Sequence, residues 1–156
     1  MMRTQDRLDA LGISLPRLSY TAENYLHHKQ IGDLLYLAGK GPLLDNGAVP
    51  VGRVGAEFST EQAYGLSRTV ALFLISAMKD ALGGDLDRVK TVVKVFGMVN
   101  AIPEFRDHAK VIDGCSDLFV DVWGEEGRHV RMAVGSGSLP YGMPIEIEAL
   151  VLVRGD

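Results

Sequence analysis

Two spacings of apolar residues run through this chain. From Ile145 to Val153 the odd positions are all apolar (Ile145, Ile147, Ala149, Val151, Val153). The even positions begin with Glu146 and Glu148 and then turn to Leu150 and Leu152. Side chains alternate faces along a strand, so this pattern predicts a strand with two carboxylates on one face and a far half buried on both. The stretch that opens at Arg131 reads as the strand before it, joined through a Gly/Ser run and Leu139-Pro140. Leu34 to Ala38 predicts a further buried strand, with Ile31-Gly32-Asp33 as a hairpin turn and Tyr25 to Lys29 leading into its partner. Val89 to Met98 reads as a central strand, with Val89, Val93 and Val95 on one face and Val92, Phe96 and Met98 on the other.

The longer period marks helices. Ser59-Thr60-Glu61-Gln62 is a capping box, in which the serine oxygen takes a backbone N–H three residues on and the glutamine reaches back. Behind it Ala63, Leu66, Val70, Leu74, Ala77 and Ala81 repeat at helical spacing up to Gly83-Gly84, which predicts a helix of about six turns. A second helical region opens at Pro103 and runs with interruptions to about Trp123, weakened in its middle by Gly114. Asp6 to Leu11 is enough for a short helix closed by Gly12, and Val49 to Phe58 reads as irregular. Hairpin, helix, strand, helix, strand, strand implies one sheet with both helices on one face. The other face then has apolar residues and no cover, for which a second copy of the chain is the economical answer.

Composition narrows the function classes. A chain of 156 residues suits one domain, spanning 1–156, with residues 1–18 as an N-terminal extension. No apolar run approaches the roughly 18 to 20 residues that cross a bilayer, and the N-terminus lacks the layout of a secretory signal, so the expected location is cytoplasmic, without membrane contact. A net charge of −4 with no Lys/Arg run speaks against nucleic acid as a partner. One cysteine, Cys115, leaves no internal disulfide or Cys-based zinc site, and reads as a buried small hydrophobe. His27, His28, His108 and His129 do not make a metal signature, since adjacent strand histidines point to opposite faces; no metal is expected.

The chemistry that remains lies at Arg131, Glu146 and Glu148. One guanidinium and two carboxylates beside an apolar strand pair are either a structural ion-pair network or a small anion-binding site. Tyr25 is likewise open between a core tyrosine and a site residue.

Several motifs together resemble the Rid/YjgF family, also labelled endoribonuclease L-PSP. They are Leu37-Ala-Gly-Lys-Gly-Pro42, Val130-Arg-Met132, and Leu139-Pro140 followed by Ile145-Glu-Ile-Glu-Ala149, and the likeness covers roughly residues 20 to 154. It implies an α+β, chorismate-mutase-like mixed sheet with two helices on one face, assembled as a homotrimer. It also implies cofactor-independent hydrolysis of reactive 2-enamine or 2-imino acids to 2-keto acids and ammonia, in a cleft between subunits. By the same resemblance, Arg131 would clamp the substrate carboxylate and Glu146 would orient or activate water. Tyr25, Ala38, Gly39 and, in the neighbourhood of a family asparagine, Ser116 would contact substrate, while Glu148 goes to structure. Met132 and Ala38 stand where the family has serines. These departures keep a second reading in play, a trimeric small-carboxylate binding or sensing protein without turnover. A third, ribonuclease action, rests on the family label alone.

Overall fold

The computed structural model describes residues 2–19 and 24–155. A short helix α1 (Thr4–Ala10) precedes a hairpin of β1 (His28–Ile31) and β2 (Leu34–Lys40). There follow α2 (Thr60–Ala81), β3 (Val89–Asn100), α3 (His108–Trp123), β4 (Val130–Ser136) and β5 (Ile145–Val153). The five strands form one mixed sheet in the order β1-β2-β5-β3-β4, with β4 parallel to β3 and the other pairs antiparallel. This is the α+β, chorismate-mutase-like architecture that the resemblance implied.

The capping box forms as the sequence requires: Gln62 N–H donates to Ser59 Oγ at 3.1 Å, and Ser59 N–H donates to Gln62 Oε1 at 2.8 Å. The apolar stripe of α2 (Val70, Leu74, Ala77, Met78) is buried, together with Val111, Cys115, Leu118 and Phe119 of α3. These side chains meet the sheet face made by Leu35, Leu37, Val95, Val99, Ile145, Ile147 and Val151, and the shared core follows from burial of apolar area. Leu8 of α1 is fully buried in that same core, and Arg7 Nη1 donates to the Val122 carbonyl at 3.1 Å. The N-terminal segment therefore packs as part of the domain.

Four local expectations change. The strand β3 contains two register irregularities, between Val89 and Thr91 and between Val92 and Lys94. They re-phase the alternation so that Val89, Val92 and Val95 are all buried, where strict alternation had put Val92 on the other face. The helix α3 starts at His108 rather than Pro103, residues 103–104 being a turn, and runs unbroken to Trp123. Gly114 does not weaken it: a Cβ there would lie 2.1 Å from the Tyr64 carbonyl oxygen and 3.0 Å from Arg68 N, so glycine lets α3 cross α2 in backbone contact. On β5, Leu150 and Leu152 are half-buried rather than buried, because no described residue packs over that sheet face.

Candidate functional site

Parallel pairing of β3 with β4 places Arg131 opposite Val95, on the face that the helices cover. The strand β4 is the edge of the sheet, so the side chain reaches along the flank of α3 instead of into the core. There its Nη1 donates to Asp113 Oδ1 at 2.8 Å and to Ser116 Oγ at 3.1 Å, and Nη2 meets the Ala109 carbonyl at 3.4 Å. Asp113 and Ser116 are three residues apart on one helix face, which brings both to one guanidinium. The arginine's ion pair is thus with Asp113, and the alternative of a structural bridge to Glu146 or Glu148 does not form. The Nε–H donates to no described residue, so along the Nε/Nη2 edge of the planar fork the Ala109 carbonyl is the one described acceptor.

Ser116 has a second partner, His129 Nε2 at 2.9 Å, and His129 Nδ1 lies 2.7 Å from the Gly127 carbonyl. Burial lowers the proton affinity of this imidazole below the ordinary histidine value, and Arg131 adds to the effect while the Gly127 bond opposes it.

Glu146 and Glu148 occupy the opposite sheet face, as the alternation required. They stand opposite Met98 and Phe96 of β3. With Gly39 these residues line a shallow pocket of about 200 Å³. Glu146 is half-buried and hydrogen-bonds no described residue, and its carboxyl is held above the usual carboxylate range, first by burial and then by Glu148, with Lys40 opposing. Gly39 sits in the irregularity of β2 between Leu37 and Lys40, and a Cβ on it would come within 2.8 Å of Glu146 Oε1. Glycine at this position therefore makes room for the carboxylate. The half-buried Lys40 has its ammonium pKa lowered by burial, and Nζ lies 2.7 Å from His27 Nδ1. Around this pocket the face is apolar and uncovered: Tyr36 and Met132 are 47% and 52% exposed.

One chain therefore divides the expected site residues into two groups. Arg131 and Ser116 lie together at the β4 edge; Glu146, Gly39 and Ala38 lie together on the open face. Tyr25 lies just before β1, at the sheet edge opposite β4, and is 63% exposed, which removes its reading as a core tyrosine. Between those edges the sheet is four strand spacings wide, about 19 Å. Cys115 is fully buried and its thiol pKa is pushed far up, consistent with a packing role. Asp113 was not singled out from sequence, and His129 was weighed only as a metal ligand. Their signals were the Asp113/Ser116 spacing on a helix and the His129/Arg131 spacing along an extended strand, each of which puts two polar groups on one side. Among the described residues no group of three or more His, Cys, Asp or Glu could hold a metal, and no helix is long and apolar enough to cross a membrane.

Comparison with known proteins gives one consistent result. Residues 5–153 match the family model described as "YjgF/chorismate mutase-like, putative endoribonuclease". Protein TCP17 of Trypanosoma cruzi is 42% identical over 150 residues, covering 96% of this chain and 93% of its own length. The crystal structure of Atu1372 from Agrobacterium tumefaciens, a protein of unknown function, superposes with a TM-score of 0.88 at 36% identity, covering 97% of this chain and 94% of that one. A structure from Shewanella oneidensis MR-1, described as a putative endoribonuclease, gives 0.91 at 28% identity, covering 97% and 100%.

Proposed function

The chain belongs to the YjgF/chorismate-mutase-like family, and from that premise we propose that it is a cofactor-independent hydrolytic deaminase of reactive 2-enamine and 2-imino acids. The observation that carries this reading is the state of Arg131. Asp113 and Ser116 hold its Nη1 end and the Ala109 carbonyl takes one Nη2 hydrogen, so Nε–H and the second Nη2 hydrogen form a two-point donor that matches a carboxylate. A 2-imino acid carries such a carboxylate next to the carbon that water must attack. Glu146 supplies the complementary group, a half-buried carboxylate with no hydrogen bond among the described residues and with raised proton affinity, suited to take a proton from water and return it to nitrogen.

The reaction balances with water alone. Water adds to C2 of the imine, and Glu146 takes one of its protons. Glu146 returns that proton to nitrogen to give the neutral carbinolamine, then takes the hydroxyl proton and delivers it to the amine as the C–N bond breaks, so ammonia leaves and a 2-keto acid remains. Arg131 and Glu146 lie on opposite faces of one sheet, so a small ligand reaches both only if a second copy brings its open face, with Glu146, against the β4 edge of the first. The uncovered apolar face around Phe96, Met98 and Met132 supports that assembly, proposed as a homotrimer, with the site shared between subunits.

Freshly generated 2-aminoacrylate should release ammonia faster in the presence of the protein, and Arg131→Ala should remove the acceleration. Equal rates with and without protein exclude the reading. The alternative, binding of a small carboxylate without turnover, draws on Met132 and Ala38, which put no hydroxyl on Glu146's side of the sheet at β4 or in the β2 irregularity. Thermal stabilisation by a 2-keto acid, together with no turnover of any imine tried, would select it.

A further inference from the structure

The hydrogen bonds behind Arg131 form a chain with one consistent assignment of protons. The Gly127 carbonyl can only accept, so His129 Nδ1, 2.7 Å away, carries a hydrogen. Burial keeps the ring neutral, which leaves Nε2 as a bare lone pair facing Ser116 Oγ at 2.9 Å. The serine hydroxyl therefore donates to His129, and its oxygen lone pairs are turned to Arg131 Nη1 at 3.1 Å. A protonated ring would reverse this order, placing an N–H and a guanidinium against the same oxygen.

Each member is pinned from behind. The His129 ring packs edge-on against Phe119, with centroids 5.9 Å apart. The helix carrying Ser116 is held against α2 at the two preceding residues, by Gly114 on the Tyr64 carbonyl and by Cys115 N–H donating to Ser67 Oγ at 3.2 Å. Asp113 takes the other Nη1 hydrogen at 2.8 Å. With Nη1 saturated, rotation of the guanidinium plane breaks two hydrogen bonds. An arginine side chain otherwise loses about 2 kcal/mol of rotamer entropy when a ligand fixes it, and fixing it beforehand removes that penalty from binding.

We propose that His129 is a positioning residue: through the Ser116 hydroxyl it presets the Arg131 guanidinium so that its Nε/Nη2 edge faces a ligand carboxylate. This rests on the reading of Arg131 as a carboxylate anchor, and it extends that reading to a residue that need not touch substrate. The imidazole acts here as an acceptor of fixed tautomer, neither base nor metal ligand.

The test compares wild type with His129→Phe, which keeps a ring against Phe119 but offers no acceptor, and with His129→Gln, which can return an acceptor to Ser116. Pyruvate, an unreactive 2-keto acid, serves as the binding probe in calorimetry. KM and kcat are read on the imine substrate, the Arg131 Nε–H signal is followed by NMR, and melting temperature confirms folding. His129→Phe should raise Kd and KM about tenfold, leave kcat within about twofold, and broaden the Nε–H signal by freeing the side chain. His129→Gln should recover most of the affinity. Unchanged Kd in His129→Phe overturns the proposal, as does an equal loss in both variants, which would mark the ring as merely structural. Wild type that binds no pyruvate overturns it as well. Wild type that binds pyruvate with this dependence on His129 and yet hydrolyses no imine leaves the positioning role standing and removes the deaminase reading.

Discussion

At the β4 edge, the Nη1 end of Arg131 meets a carboxylate and a hydroxyl from its own chain, and the hydroxyl is itself oriented by an imidazole. On the open sheet face Glu146 meets no hydrogen-bond donor among the described residues, and the residues beside it, Phe96, Met98, Tyr36 and Met132, are left partly or largely exposed. The first region is held by intramolecular contacts, and the second is left open by the described residues. A half-buried carboxylate without a donor is costly to desolvate, and such cost persists where another molecule supplies the missing partner.

That contrast can be broken first from the helix side. Gly114→Ala puts a methyl against the Tyr64 carbonyl and must push α3 off α2, so a loss of about 3 kcal/mol is expected in chemical denaturation. A loss below about 1 kcal/mol would show that the helices adjust freely and that the Arg131 cradle is not rigidly held.

Arg131→Lys keeps the charge but replaces the planar fork with a point donor. A roughly 100-fold fall in kcat/KM on the imine is expected, whereas retention within a few-fold would mean that charge alone suffices.

Glu146→Gln sharpens the other half of the comparison by making activity and stability move in opposite directions. The folded-state pKa of Glu146 is raised, so its ionised form destabilises the fold above the ordinary carboxylate range, and that penalty is relieved as pH falls through the raised value. The variant should melt higher than wild type at pH 7, with the difference vanishing in acid, while imine hydrolysis drops about tenfold or more. Wild-type kcat should rise with pH through the raised pKa of Glu146, and that limb should be missing in the variant. A Tm change of the opposite sign would place a stabilising donor on this carboxylate.

The smallest effect concerns Asp113. Its pair with Arg131 is partly exposed, so Asp113→Asn should change stability by less than about 1 kcal/mol. Because the amide oxygen still accepts from Nη1 but no longer offsets the guanidinium charge, pyruvate should bind a few-fold more tightly in calorimetry. Weaker binding would show that the charge of Asp113, and not only its geometry, holds the arginine.

Most of the fold was legible because it depends on local chemistry. Ser59 and Gln62 cap α2 through groups three residues apart, and the alternation from Ile145 to Val153 sends Glu146 and Glu148 to one face whatever lies beside them. The bulges in β3 and the start of α3 at His108 were not legible, because both depend on what the segment packs against. The candidate site was legible as a list and not as a place. Arg131 and Glu146 stand 15 residues apart on successive strands, and only the order β1-β2-β5-β3-β4 shows that they face away from each other.

What this sequence determined by itself is the periodicity, the caps, the two carboxylates on one face and the family likeness, since each rests on spacing within a few residues or on motifs in line. Tertiary structure alone decided that Gly114 is a crossing point, that Arg131 pairs with Asp113, and that His129 stands behind Ser116. Those contacts join residues that are 13 to 50 positions apart in the chain, from His129 and Ser116 to Gly114 and Tyr64, and their distances exist only once the helices have docked on the sheet.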